Sequence, residues 1–330
     1  MKKILLLCTT FYLLCLSSSA QETASSFWKN LDSRFGLSST KKFDTTYYNI
    51  ATKGWMINLN NNFAGFLFKS QLQSNSYGDI RMNLHSTLNY QLSSTFGYRN
   101  LILGYSIANI EGNGHDFTLS LSANTWGIEF RRLETDDFKG DLQTSSLNED
   151  MQITKSDVKI KTKYLRSYFV FNSKKYSTTA AIDERCTQKR PAGSLLFYTN
   201  YAINTITLIN KQIIQRFGFS VLEYSQAELG LGYGYNYPVM QGKLLFHATL
   251  IPMFVALNSN YITDTTINEI ISKNKYFFNI MGRFTINYHF NDNFGICLSA
   301  FLNSNKFTGE NNLKIHLYDY LIKLSLCFRF

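Results

Sequence analysis

The sequence predicts an all-β chain: an antiparallel transmembrane β-barrel of about twelve strands behind a cleaved signal peptide. Three observations carry that prediction. The closing segment YLIKLSLCFRF sets Tyr320, Ile322, Leu324, Leu326, Phe328 and Phe330 in one register, and Lys323, Ser325, Cys327 and Arg329 in the other. A two-residue period separates the faces of a strand, and about ten residues let a tilted strand cross a bilayer. Of the 330 residues 15% are aromatic, with 27 Phe and 21 Tyr, while 17% are charged and three are proline. That mixture suits aromatic girdles around a polar interior. Beyond residue 20 there is no run of about eighteen apolar residues, and a chain without such a helix crosses a bilayer only as a closed barrel.

The amino terminus reads as a secretory signal. Lys2 and Lys3 form a basic n-region, Ile4 to Leu16 the apolar h-region, and SSSA before Gln21 a cleavage site after Ala20. Cys8 and Cys15 lack the small residues of a lipobox. Residues 21–53 form a periplasmic lead. Phe27, Trp28, Leu31, Phe35 and Leu37 show loose helical spacing there, and a disordered tether fits them equally well. Residues 54–330 are assigned to the barrel. The mean hydropathy of −0.16 is no objection, because only alternate residues face lipid. Cleavage removes Lys2 and Lys3 and no acid, so the net charge falls from +10 to +8. In an exported protein that excess argues against nucleic acid and for solvated loops, with rim cations meeting the phosphates of lipopolysaccharide. The expected surroundings are the lipids of the outer membrane of a Gram-negative bacterium.

Strands follow in order. Trp55 to Lys69 alternates imperfectly, with Trp55, Ile57, Leu59, Phe63 and Leu67 on one face. Residues 80–91 alternate cleanly, Ile80, Met82, Leu84, Leu88 and Tyr90 against Arg81, Asn83, His85, Thr87, Asn89 and Gln91, which assigns the polar set to the lumen. Leu101 to Ile107, Phe117 to Leu121 and, after a turn at Ala123–Asn124, Trp126 to Phe130 give three more. Residues 135–160 are polar without sustained periodicity and read as a long loop. Strands follow near 163–172, 195–203 and 227–235. The last sets Ala227, Leu229, Leu231, Tyr233 and Tyr235 against the small or polar Glu228, Gly230, Gly232, Gly234 and Asn236. Lys243 to Leu257 carries Pro252, which predicts a bulge. Strands at 276–290, at 294–302 and at the carboxyl end complete the set.

Connections near 204–224, 258–275 and 303–318 are long, and those near 237–242 and 291–293 short, as external loops and periplasmic turns should be. The alternation holds only if 173–192 is a periplasmic or luminal segment rather than a strand, despite the strand-like composition of Tyr176 to Ile182. That segment concentrates charge: Lys174, Lys175, Arg185, Lys189 and Arg190 against Asp183 and Glu184. It reads either as a luminal plug or anion-attracting constriction, or as a charged connection whose Pro191–Gly193 turn restarts the ladder.

The candidate lumen lining is Arg81, His85, Asn89, Glu228, Asn279, Arg283, Asn287, Lys323 and Arg329, a mixed-charge set that more often fills a lumen than opens one. The five histidines carry no serine motif beside them, so catalytic residues are not assigned, and no spacing resembles a metal or cofactor site. If Phe294 opposes Phe330, Cys297 opposes Cys327. Cross-strand strain favours two buried thiols over a disulfide there.

The aromatic end, with Tyr320, Phe328 and Phe330, resembles the signal that barrel-assembly machinery reads in bacterial outer-membrane proteins. KKYSTTAA followed by QKRPAGS, with YFVFN, LGYS at 103–106, WGIEF at 126–130 and LGYGYNY at 231–237, resembles as a set an uncharacterised Bacteroidetes family of outer-membrane β-barrels, domain of unknown function 4421. The likeness spans Lys53 to Phe330. It implies a barrel and a compartment and brings no activity. The expected function is thus a narrow pore or a structural barrel with a polar filled lumen. Surface loops near 204–224 and 258–275 presenting an unspecified ligand site are the alternative, and a rim lipid hydrolase is the third reading.

Overall fold

The computed structural model describes residues 44–50, 55–74, 77–86, 89–98, 101–108, 115–123, 125–145, 149–182, 186–264, 268–269, 278–309 and 313–330. The residues expected to form a signal peptide, most of the expected lead, and Arg185 lie outside these. The strands run in order β1 Tyr48–Ile50, β2 Trp55–Ser74, β3 Gly78–Ser86, β4 Asn89–Tyr98, β5 Leu101–Ala108 and β6 His115–Ser122. Next come β7 Trp126–Thr135, β8 Phe138–Thr144, β9 Glu149–Ile153, β10 Val158–Val170, helix α1 Thr178–Ile182, β11 Cys186–Gln188 and β12 Ala192–Leu208. Helix α2 Lys211–Phe217, β13 Phe219–Val239, β14 Leu244–Asp264, β15 Asn268–Glu269, β16 Phe278–His289, β17 Phe294–Thr308 and β18 Lys314–Arg329 complete the chain.

Twelve strands form a ring in the order β18-β17-β16-β14-β13-β12-β10-β7-β6-β5-β4-β2, and β2 pairs back onto β18 to close it. Every neighbouring pair is antiparallel. The closing seam runs from Lys314 opposite Gln71 to Arg329 opposite Met56. Trp55 and Phe330 exchange backbone hydrogen bonds, each 3.1 Å, so the ring opens and ends at one rim, the terminal rim. Gly65 lies under the Tyr320 ring at this seam, its missing Cβ leaving room for the hydroxyl end of that ring. The outward registers are apolar and exposed, including Leu59, Phe63, Leu165, Leu195, Leu231, Leu250, Ile322 and Leu324, which makes the wall a transmembrane one. No described helix is long and apolar enough to cross a membrane.

Beyond the lipid-facing band the ring changes partners. β2 pairs with β4 over Trp55–Ala64 and with β3 over Leu67–Ser74. The β5–β6 hairpin is short, and past it β3 pairs directly with β8, which also carries β9. Residues 135–160 are therefore not a long loop. Phe138, Leu142 and Thr144 alternate inward along β8, a period too brief to register beside the charges on its other face.

Other expectations shift by small amounts. Residues 204–224 hold the end of β12, helix α2 and the start of β13, and β14 reaches Asp264. Tyr176 to Ile182 contains the short α1 rather than a strand. The bulge falls at Ala256, between the pairs Ala227–Leu257 and Glu228–Val255, and not at Pro252. Phe294 opposes Phe328, so Cys297 faces Ser325, and Cys327 faces Gly295.

The seam has a direct test. Phe63→Cys with Ile322→Cys places two outward thiols directly opposite each other. Mild oxidation should cross-link them, seen as altered mobility on non-reducing gels. Phe63→Cys with Leu321→Cys, one residue out of register and on opposite faces, should stay uncrosslinked.

Candidate functional site

The inward side chains stack in three layers along the lumen. Nearest the terminal rim lies the segment between β10 and β12, folded inward with β1 paired to β11, Tyr48 opposite Gln188. A five-residue helix leaves its end carbonyls without helical partners. Asn287 of β16 supplies them, donating from Nδ2 to the Ala180 and Ala181 oxygens at 2.8 and 3.0 Å. Asn236 of β13 donates to the Ser177 carbonyl at 2.8 Å, and its Oδ1 lies 2.8 Å from His247 Nδ1. Within the segment Gln188 donates to the Lys175 and Arg190 carbonyls at 2.7 and 3.0 Å. Gly234 has no Cβ because the Tyr176 hydroxyl rests against it. Tyr176 packs with Val170, Leu196, Ile251, Met253 and Met281, while Tyr48, Ala180, Ala181, Cys186 and Leu245 form a second cluster.

The luminal part of this plug is thus hydroxyls, methyls and rings. Lys174, Lys175, Lys189 and Arg190 are exposed and do not constrict the lumen. Burying them beside apolar side chains would cost far more than leaving them in water. Lys175 Nζ and Arg190 Cζ lie 5.1 and 5.9 Å from the Tyr47 ring centre. Beside them, hydrogen bonds from the Thr46 hydroxyl and amide hold the Asp44 carboxyl below its usual range, and Lys175 and Arg190 add to that against a small opposing burial effect.

The middle layer is a belt of buried charge. Arg131 Nη1 and the Tyr164 hydroxyl both donate to Asp319 Oδ2 at 3.3 Å. Arg166 donates to Asn200 Oδ1 at 3.2 Å and to Glu129 Oε1 at 3.5 Å, with its guanidinium 4.2 Å from the Tyr164 ring centre and 5.1 Å from that of Phe301. Asn200 donates to Glu228 Oε2 at 2.6 Å, and Asn279 donates to Glu228 Oε1. Arg283 also lies over the Phe301 ring, 5.4 Å from its centre. Buried ions are tolerable only when paired and hydrogen-bonded, and here each arginine contact is shared between an acid, an amide or a ring.

The layer farthest from the termini is mainly apolar. Phe66, Phe68, Ile80, Met82, Leu84, Phe138, Leu142, Val158, Ile160, Leu208, Ile213, Phe217, Leu222, Phe307 and Leu317 belong to one buried apolar cluster. It draws on both sides of the ring and on α2.

Of the expected lumen residues, Glu228, Asn279, Asn287 and Arg329 are buried inside, and Arg283 and Lys323 share their inward registers half-buried. Arg329 Nη2 lies 3.1 Å from His289 Nδ1 and ties the last strand to β16. Asn89 is opposite Ala64, with its side chain outside the described residues. Arg81 and His85 are exposed: in β3 it is Ile80, Met82 and Leu84 that point inward. The sequence reading missed Glu129, Arg131, Arg166 and Asp319. Their signal was present, since each sits in the register opposite an outward Ile128, Phe130, Leu165 or Tyr320.

A closed twelve-stranded wall with a lipid-facing exterior and a packed lumen defines a β-barrel of the outer-membrane kind. The chain belongs to the family described as Domain of unknown function (DUF4421), which matches residues 42–330. No curated protein matches it in sequence. Among solved structures it is similar to the outer membrane protease OmpT from Escherichia coli, at 8% identity and TM-score 0.41, covering 84% of this chain and 98% of that one. It is similar also to the outer membrane protein OprG from Pseudomonas aeruginosa, at 12% identity and TM-score 0.30, covering 86% and 100%. The translocator domain of the autotransporter NalP from Neisseria meningitidis follows at 10% identity and TM-score 0.30, covering 96% and 100%. At this distance the likeness says nothing about activity.

The belt predicts an asymmetry between single and paired substitutions. Asp319→Ala leaves the buried Arg131 without its carboxylate and should lower stability by about 3–5 kcal/mol in urea titrations of the barrel in lipid vesicles. Arg131→Met combined with Asp319→Leu should recover most of that loss.

Proposed function

We propose that the chain is an integral outer-membrane barrel whose lumen is packed shut, a non-conducting scaffold rather than a narrow pore. The observation that carries this is the apolar cluster spanning the lumen from Phe66 and Ile80 to Val158, Leu208, Phe217 and Leu317. Ions cross a barrel along a polar, hydrated path, and an apolar core interrupts it. The plug at the opposite end supports the same reading.

An even strand number and, apart from the inward-folded plug, short connections at the terminal rim favour that rim as periplasmic and the far end as external. Residues 1–20 would be the signal peptide and 21–53 the periplasmic lead, in a Bacteroidetes protein surrounded by outer-membrane lipid and lipopolysaccharide. Phe328 and Phe330 face outward, 40% and 55% exposed, where assembly machinery would meet them with Tyr320 during insertion.

A second role rests on the ordered far end. Asn210 caps α2 by accepting from the Gln212 amide at 3.0 Å and donates to Asp157 at 3.0 Å. Burial alone would raise the Asp157 carboxyl, but bonds from the Thr154 amide, the Asn210 side chain and the Thr154 hydroxyl hold it below its usual range. Ile213 and Phe217 anchor the helix in the core, and Arg216 reaches Thr144 at 3.1 Å. We read this shoulder as a platform for surface binding. A hydrolytic role finds no support: His247 pairs with Asn236 and His289 with Arg329, partners that brace a wall.

Conductance decides the main reading. The purified protein in planar bilayers should show no steady current. It should stay closed with Asn236→Ala and Asn287→Ala, which loosen only the plug. A lasting ohmic level in the unaltered protein would sink the sealed-lumen proposal.

A further inference from the structure

The outer wall at β7, β10, β12 and β13 carries a feature that a sealed lumen does not require. Ile128, Leu165, Tyr201, Leu229 and Leu257 border a groove of about 580 Å3 over Ser167, Thr199 and Ala227. The floor hydroxyls satisfy each other, with Ser167 Oγ and Thr199 Oγ1 2.7 Å apart. Arg166, Asn200 and Glu228 also line it and are bonded to one another through Asn200, so the groove suits an apolar chain. The bulge opposite Ala227 and Glu228 sets Ala256 at its edge.

One rung farther from the termini the same strands turn basic. Lys163 stands opposite Arg132, Lys161 opposite Glu134, and Lys159 lies beyond on the same face. Glu134 takes both Lys159, at 2.6 Å, and Arg132, at 3.1 Å. Among the described residues no ion pair holds Lys161 or Lys163. The next acid around the ring, Glu223, accepts from Thr205 at 3.2 Å. Four cations thus face two carboxylates at the edge of the lipid band, each rung about 6.6 Å from the next.

We propose that this face binds a membrane lipid with a phosphorylated headgroup, one acyl chain lying in the groove and its phosphate at Lys161 and Lys163. Charge complementarity selects the class. A zwitterionic lipid would fill the groove without using the excess positive charge, and a soluble phosphate would leave the groove empty. The site deepens the proposed membrane placement and rests on it.

The test uses the purified full chain, refolded and delipidated in detergent, with bound lipid counted by native mass spectrometry. Bisphosphorylated lipid A should bind one to one, and its dephosphorylated form and phosphatidylcholine should bind far more weakly. Lys161→Gln with Lys163→Gln should weaken binding at least about tenfold. Thr199→Phe should weaken it with every charge in place. Lys69→Gln with Lys139→Gln removes the same charge elsewhere on the exposed surface and should change nothing. Equal loss in this control pair, equal binding of phosphatidylcholine, or pyrophosphate binding as tightly as lipid A would each overturn the site. Heat-modifiable gel mobility reads folding separately. A chain that never folds in detergent undermines the membrane placement, whereas a folded barrel indifferent to headgroup phosphate undermines only this site.

Discussion

Everything in the molecule depends on the β2–β18 seam. Inside lipid a backbone amide has no water to turn to, so an antiparallel sheet is stable there only if its first and last strands find each other. β2 meets this demand by its length, serving β18 along one edge and both β4 and β3 along the other. The register leaves no latitude. A slip of one residue would turn Asn58, Asn60 and Asn62 from the lumen to the lipid and bring Leu59 and Phe63 inside. The backbone pairing of Trp55 with Phe330 marks where that register is pinned.

Closure at twelve strands creates a second problem. Side chains alone fill a barrel of about eight strands, and a wider one holds a channel unless something else occupies it. Three devices occupy this one. At the terminal rim the chain supplies main chain, the inward loop with α1 and β11, held by wall amides. At the far end β3 meets β8 directly past the short β5–β6 hairpin, and α2 caps the apolar cluster. Between them, long charged side chains span the lumen and neutralise one another. Arginine suits that middle layer because its planar head bonds at its edge and stacks on Tyr164 and Phe301 with its face.

The count of about twelve and the polar register of the terminal strand were legible because alternation there spans a full membrane crossing, although the strand expected at 80–91 is split between β3 and the start of β4. Other features were hidden for identifiable reasons. β8 offers only Phe138, Leu142 and Thr144 to an alternation test, and its partner β3 is distant in sequence. The terminal hairpin register was off by two residues, since the β17–β18 ladder runs from Thr308 opposite Lys314 to Phe294 opposite Phe328, and Phe330 pairs instead with Trp55 across the seam. In the plug, the charges of residues 174–190 drew notice, yet the uncharged YSTTAAI stretch enters the lumen, as desolvation demands.

Arg81 and His85 expose the deeper limit of a two-residue pattern: it separates two faces without saying which is inside. Along β2 the inward set passes from Asn58, Asn60 and Asn62 to Phe66 and Phe68, while the outward set passes from Leu59 and Phe63 to Lys69 and Gln73. β10 does the same from Arg166 to Ile160 inside and from Leu165 to Lys163 outside, as does β18 from Asp319 to Leu317 and Ile315 inside and from Ile322 to Lys314 outside. Both faces exchange polarity at a common height, so the alternation continues unbroken while its meaning reverses. That height is where lipid ends. Below it the apolar solvent is outside and polar groups retreat to the lumen; above it water is outside and the apolar groups retreat instead. β3 lies wholly above it, which is why the cleanest alternation in the chain marks a soluble-type wall with its greasy face inward.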